Sequence, residues 1–588
     1  NGSQVIDFGT FTAPGPGVPS PSSLELNVTG DLESLGSGTI VLQRQNQITL
    51  GGVKMYDGLV QFDDLPGMTA NDKKTIINGD TEFLGGKWNF AYDPTGSSNH
   101  RELHLKGQNN KFSTENSRTD FSYAKTYAKP VWLVISGAEQ QTLVGNSMET
   151  IWYGIINVNN TAGQNPSVTF QQGVFRVLPN NGHQSFFTST VHIDDCTIAI
   201  GGRTAPFDGN GNFINRAGYT TANGGRVQMN GNGGQNINTG EPGDPAPMFG
   251  SLEIDNPSGV TINNSKTVTI TNFLYLTEGL LKLGTGASVK FKNSSPAPTI
   301  VRVDGQFQQA PDWANSDSVN VVYFGGVKVA GEEIPVAGTF PNALNDLSVK
   351  TTKGCGDGKG GVEINDRNVV VNGILRVNEK QALLVKSPHT LTLKGDTVVL
   401  DGILVTEGAG ELVLANPTGT TLKANAANLY LPSITVAAGS NGNKIEGFLG
   451  LVAFATPPAD ICDVFTGLEV ITTNDLGNLK FLANGVNQTS SLETLFAETA
   501  DAFPHLNMLQ TDAHGTLTLL ADVIQHGDLD HRQDARIVIA EHNYTVRGAR
   551  IDLSGAAPIE GTSGTLFFNG TDQDMYIAQT STADQKGW

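Results

Sequence analysis

The sequence predicts an all-β chain wound as a parallel β-helix (β-solenoid), with degenerate super-repeats of about 90 residues. Three observations predict it. Apolar residues recur at every second position over short runs, so one side chain points in and the next out, as in a strand. Seventy glycines, with abundant Asn and Thr, punctuate those runs and supply the backbone conformations that tight corners need. Finally, one paragraph of sequence, Gly225 to Leu283, is rewritten several times along the chain.

That paragraph holds an alternating run (Val227, Met229), a polar Asn-Gly turn (Asn230 to Gln235), a Pro/Gly loop and the phrase Phe249-Gly-Ser-Leu252-Glu-Ile254. Asn256, a restart at Gly259-Val260 and two strands split by Glu278-Gly279 follow. The spacing of a large apolar residue with apolar partners three and five positions on returns at Tyr153/Ile156/Val158, Leu344/Leu347/Val349, Leu431/Ile434/Val436 and Phe503/Leu506/Met508. Matching turn phrases precede the anchors, such as Val134-Ile-Ser-Gly137, Val322-Tyr-Phe-Gly325 and Phe567-Phe-Asn-Gly570. A single coil of this kind cannot bury its apolar face alone, so coils must stack into a continuous core. The competing architecture is a string of sandwich domains, which expects polar linkers and a heavy core in each unit. Only five Trp occur, none at an equivalent repeat position, which favours the solenoid.

In chain order, residues 1–22 carry four prolines between Pro14 and Pro21 and read as an extended arm. Residues 23–130 form an irregular β region, with strands expected at LELNVTG, GTIVLQ and QITLGGVKMYDGLVQF, then around Trp88 to Tyr92 and Leu103-His-Leu105. The repeat governs 131–588. Within it Ser490-Ser-Leu-Glu493 has the form of a capping box, and Leu492, Leu495, Phe496 and Ala500 share a helical face. A short helix decorating the solenoid is therefore expected at about 491–501. Leu252, Ile254, Val260, Ile262, Leu281 and Leu283 are expected to point inward together. The last repeat, from Gly564, is expected to be cut at its anchor, Trp588. Either the protein continues, or the N-terminal arm of a neighbouring subunit completes the coil and builds a head-to-tail filament.

Composition bounds function. A formal charge of −20 argues against nucleic acid and against an anionic bilayer surface. No apolar run approaches the roughly 20 residues that span a membrane; Gly447 to Ala455 is the nearest. Cys196, Cys355 and Cys462 are too few and too far apart for a disulfide scaffold or a zinc ribbon, and they leave the compartment open.

These phrases resemble the β-helical repeat regions of large secreted, adhesin-like surface proteins of Bacteroidota-type bacteria, commonly exported by the type IX system. The resemblance rests on Val227-Gln-Met-Asn-Gly231 with Gln235-Asn-Ile237, on Phe249-Gly-Ser-Leu252-Glu-Ile254-Asp-Asn256 with Gly259-Val-Thr-Ile262, and on Leu276-Thr-Glu-Gly279-Leu-Leu-Lys-Leu283. It extends more loosely over 131–180 and 320–415. It implies an extracellular location at the bacterial surface and a structural or adhesive role, with self-association, neighbouring surface subunits or glycans as partners. Its motifs are scaffold motifs and carry no functional residue across.

Two residue sets are candidate metal ligands. His526, Asp528 and Asp530 would share one face of a strand, with His542 within a coil, although Gly527-Asp-Leu529 is also the repeat's own restart phrase. Asp208, Asn210 and Asn212 imitate the start of a calcium loop, but Phe213 stands where the loop glycine belongs and no Glu closes it. The reading is therefore no cofactor beyond weak calcium at such turns. The alternative function is a polysaccharide lyase or glycoside hydrolase, because β-helices also carry those activities. It would need paired carboxylates from neighbouring coils. His192-Ile-Asp194-Asp195 is the one acidic pair with a His beside it. The leading reading is non-enzymatic: a rigid surface element with a long display face.

Overall fold

The computed structural model describes the chain from 25 to 577, together with Gln4–Ile6, apart from some connecting segments. The segments left out are 29, 35–38, 45–46, 57–58, 65–71, 84–86, 90–99, 113–118, 122–130, 146–148, 153, 164–165, 178–183, 188–190, 201–211, 216–218, 223–224, 239–247, 264–266, 293–295, 341–343, 426–429, 457, 482–487, 495–504, 512–514, 532–534 and 554–558. The expected arm, apart from Gln4–Ile6, and the expected last anchor therefore lie outside the described residues. Parallel sheets stack as a β-solenoid of about 16 turns in all, as the alternation predicts. The chain divides into two compact units, one of Asn1–Pro298 with Gly305–Asn315, the other of Thr299–Asp304 with Ser316–Trp588.

In the first unit one face is a 12-stranded parallel sheet that takes one strand from each successive coil. Val131–Ile135 lies between His100–Leu105 and Gly154–Val158, and Val260–Asn263 lies between Gln235–Asn238 and Leu280–Leu283. The opposing wall is built from strands such as Arg226–Met229, Met248–Asp255 and Thr267–Glu278. Inward residues stack in register: Val227, Leu252 and Leu274 form one column, and Met229, Ile254 and Leu276 the next. All six are fully buried. Of the six residues expected to face the core together, five are fully buried, while Leu283 is only half-buried.

The true unit of repetition is the single coil. Cross-coil partners stand 21 residues apart between Thr267 and Ser288, and 30 apart between Thr351 and Gln381. The super-repeat seen in the sequence thus spans several coils. Its anchor spacing marks any strand that turns two side chains inward: Leu252 and Ile254 lie on one wall of the first unit, Ile156 and Val158 on its 12-stranded sheet.

Buried amides seal the corners. Gln235 accepts the Gly231 N–H at 2.7 Å and an Asn256 Nδ2–H at 2.8 Å, and donates to Ile200 O in the coil before at 3.0 Å. Gln141 repeats the device: it accepts from Gly137 N at 2.9 Å and Asn160 Nδ2 at 2.7 Å, and donates to Leu105 O at 3.0 Å. The two Asn side chains close the same turn, Asn256 accepting from Ser258 N and Asn160 from Ala162 N. This is the physical content of the Gly…Gln…Asn phrase: every polar group that the corner buries is given a partner inside.

In the second unit a nine-stranded sheet carries a long inward column, Val369, Leu391, Leu412, Ile434, Leu479, Leu509, Leu529 and Ile551, all buried. Two arginines fix the loop over 330–340. Fully buried Glu333 is paired with Arg302 and accepts from Tyr323 Oη and Gly331 N, each at 2.9 Å. Arg367 donates to Ile334 O at 2.9 Å and pairs with Asp366 at 2.8 Å.

The expected helix at 491–501 is not a helix where it is described. Ser490, Ser491 and Leu492 belong to the strand Gln488–Thr494, held in register on one side by Asn443–Phe448 and on the other by Gly515–Leu519. Two rows of ladder hydrogen bonds and the burial of Leu492 outweigh a local capping preference. The remainder of that expectation, 495–501, lies outside the described residues. The helix that does form is Asp463–Gly467, followed by the 3₁₀ turn Leu468–Val470. Among the described residues no helix is long and apolar enough to cross a membrane.

Candidate functional site

The first candidate metal set is split by a corner. His526, Gly527 and Asp528 connect the strands Val523–Gln525 and Leu529–His531, so alternation along one strand does not relate His526 to Asp530. Gln525 Nε2 ties the corner by donating to Gly527 O at 3.1 Å and to Asp528 O at 2.5 Å. Exposed Asp528 accepts the Arg550 N–H at 2.8 Å. Half-buried Asp530 stands in register between Gln510 and Asp552, and His542 Nδ1 lies 3.8 Å from Asp522 Oδ1. Among the described residues no group of three His, Cys, Asp or Glu converges in metal-binding geometry. Of the second set, Asp208 and Asn210 lie outside the described residues. Asn212 opens the strand Asn212–Asn215, opposite Gln184.

The acidic pair with its His also has a definite place. His192 and Asp194 are half-buried outward residues of the strand Val191–Ile200. Across the coils their neighbours are Thr169 and Thr220 for His192, and Gln171 and Ala222 for Asp194.

A constellation the sequence reading missed lies on the first unit's 12-stranded sheet. Ser136 Oγ is 3.2 Å from His104 Nδ1, and His104 Nε2 is 2.6 Å from Glu102 Oε2. The hydrogen bond from His104 holds the Glu102 carboxyl below its usual range against the opposing effect of burial. Nucleophile, base and orienting acid are all within reach, as acyl transfer requires. The backbone donors at Ser136 and Gly137 are already taken. Ser136 N–H is committed to Leu105 O at 3.1 Å and Gly137 N–H to Gln141 Oε1 at 2.9 Å. Lys74 joins Glu102 from the preceding coil at 3.4 Å, so the row works as cross-coil lacing. The sequence signal was faint: the alternation Leu103-His-Leu105 puts His104 outward, but finding Ser136 requires the coil length.

The best-formed outward cluster lies across three coils of the first unit. Arg226 Nε is 2.5 Å from Glu253 Oε2, and the guanidinium sits 5.2 Å over the Tyr275 ring. Thr277 Oγ1 donates to the other Glu253 oxygen at 2.7 Å. Tyr275 stacks on Phe273 with ring centroids 5.6 Å apart. Burial pushes the Tyr275 hydroxyl pKa up, so the ring stays neutral. Gln228 and Asn230 both donate to Asp255 beside it, at 3.2 and 2.7 Å. Nearly all the polar groups serve one another, which fixes the stack Arg226–Tyr275–Phe273 and leaves Phe273 as its exposed aromatic end.

No protein-family model, curated protein or solved structure matches this chain.

The second unit adds a feature that the cysteine count did not predict. Cys355 and Cys462, 107 residues apart, form a disulfide, while Cys196 is buried and forms none. The two half-buried cysteines meet because the segment after Phe454 folds back over the strands Ile403–Glu407 and Gln381–Val385 toward Cys355, a proximity that sequence separation conceals.

Proposed function

We infer that this chain is an extracellular structural or adhesive β-solenoid of a bacterial cell surface. The observation that carries the reading is the Cys355–Cys462 disulfide on a stack of self-supporting coils. Structural disulfides persist in oxidising compartments, and a stack in which each coil buries its neighbour is a rigid spacer that needs no further partner to hold its form. The outward faces support the same reading, since Lys74–Glu102 and Arg226–Glu253 lace successive coils together and Lys480–Glu411 reaches across the strand Ile434–Val436 between them. The role is reach and display, with neighbouring surface subunits, further copies of the chain, or glycans meeting exposed points such as Phe273.

Labelling intact producing cells with a membrane-impermeant amine reagent tests this. The account expects the chain to be labelled on whole cells and to run as the oxidised form on non-reducing gels. A chain that is labelled only after lysis and carries free thiols at Cys355 and Cys462 would overturn it. So would turnover of an acidic polysaccharide that Asp194→Ala abolishes.

A further inference from the structure

The disulfide closes over an unusual face. On the nine-stranded sheet burial alternates along strands such as Thr390–Leu393 and Glu411–Leu414. On the sheet containing Gly360–Ile364, Gln381–Val385 and Gly450–Phe454, every residue of those three strands is buried. The outward row is apolar: Ala382, Leu384, Val405, Val452 and Phe454 pack against Ile461 and Val464. Segment 455–478, which leaves the coil after Phe454 and returns at Leu479, supplies that cover.

The cover has its own seat and its own internal hydrogen bonds. Ile461 sits on Gly361, where a Cβ would come within 2.4 Å of Ile461 Cγ1, so the sheet has a hole shaped for this side chain. The N–H groups of Asp463, Val464 and Phe465 donate to Asp460, Ile461 and Cys462, inside the segment. Contacts to the coils include side-chain packing, Lys359 over the Phe465 ring at 5.2 Å, Cys462 Sγ at 3.5 Å from Gly354 O, and the bond from Cys462 to Cys355. Ladder hydrogen bonds resume only at the segment's end, where Gly477 N donates to Leu451 O at 2.7 Å.

We propose that segment 455–478 is a redox-latched flap: opening Cys355–Cys462 releases it and uncovers an apolar sheet face, while the coils beneath stay stacked. The chemistry is thiol–disulfide exchange with a dithiol reductant. One reductant thiolate attacks a protein sulfur and breaks the Cys355–Cys462 bond, and its second thiol resolves the mixed disulfide. The reductant leaves as its own cyclic disulfide, and two electrons and two protons end on Cys355 and Cys462 as thiols. Both cysteines are half-buried, which leaves the bond within reach of a small reductant. The coils keep their parallel ladders on release, because none of those ladders passes through 458–472.

Hydrogen exchange on the full chain, oxidised and after dithiothreitol, tests this without relying on refolding. The expected result is at least a ten-fold rise in exchange for 461–472, a gain in anilinonaphthalene sulfonate fluorescence, and unchanged protection of the strands Gln381–Val385 and Thr390–Leu393. The double variant Cys355→Ser/Cys462→Ser should reproduce the reduced state without reductant. Unchanged protection of 461–472 on reduction would overturn the proposal, because the apolar seat alone would then hold the segment. Loss of protection in both strands would also overturn it, because the bond would then staple the whole unit.

Discussion

Replacing Gln235 with Leu tests whether the corner amides hold the coils together. The side chain is buried and among the described residues serves at least three partners: it accepts from Gly231 N and Asn256 Nδ2 and donates to Ile200 O. Leu fills nearly the same space but serves none of them. Ile200 and Asn256 are themselves fully buried and Gly231 is buried, so water cannot readily take over. Leaving a buried donor or acceptor unmet costs about 1–3 kcal/mol each. Asn256 keeps its bond to Gly233 O, which trims the total, and a loss of about 3–5 kcal/mol is expected. Because stacked coils can open in parts, urea melts should be paired with amide exchange. Exchange should rise first in 226–263 and least in the nine-stranded sheet of the second unit. As a control, Gln228→Leu removes an outward amide and should cost less than about 1 kcal/mol. A Gln235→Leu variant as stable as that control would refute the account of the corners.

Other perturbations follow from buried groups. Burial lowers the His505 pKa from its ordinary value to about 4, with Nδ1 accepting the Ile524 N–H at 3.3 Å. Between about pH 6.5 and 4 the unfolded chain binds a proton that the native state refuses, so stability falls as pH falls through that window, by up to about 3 kcal/mol. Urea midpoints at pH 7 and 4.5 should differ more for the native chain than for His505→Leu; equal slopes would contradict this. Arg302→Met strands the carboxylate of fully buried Glu333 and should cost about 3–5 kcal/mol, with Arg302→Met/Glu333→Gln recovering part of the loss in thermal melts. Ile254→Asp puts a charge into the column between Met229 and Leu276 and should cost roughly 4 kcal/mol or more, read as lost exchange protection in 226–283.

The fold was legible because its signals are local. Period-two alternation placed Leu252, Ile254, Val260 and Ile262 inward correctly, and Gly and Asn marked the corners. The register between coils was not legible, since it depends on loop lengths that vary from one coil to the next. For that reason a phrase near Gly527 read as a strand when it forms a corner, and His104 and Ser136 could not be joined. The misplaced helix has the same cause: Ser490 to Leu492 carry a helical start, but strands wait on both sides of them. The real helix follows Pro457-Pro458 and has no side-chain cap at its N-cap, Cys462; only the preceding turn is marked, where Asp460 Oδ1 accepts the Cys462 N–H at 2.7 Å. Nor could the sequence pair Cys355 with Cys462, because nothing in it tells that the segment after Phe454 folds back over the coils.

The central claim is that distant segments stack in parallel register, one coil per strand spacing. Val370, Thr392, Val413, Thr435, Lys480 and Gln510 form one outward row across the nine-stranded sheet. Successive strands lie about 4.8 Å apart, so spin labels at Val370 and Gln510 should be separated by roughly 24 Å, five steps along the row. Moving the second label back to Lys480 should shorten the distance by one step of about 4.8 Å. Pulsed electron–electron resonance on the doubly labelled chain measures both values. Distances near these, with that step, are the predicted result. A Val370–Gln510 distance beyond about 35 Å, as separate sandwich domains of about 90 residues would give, would contradict the stacked-coil account.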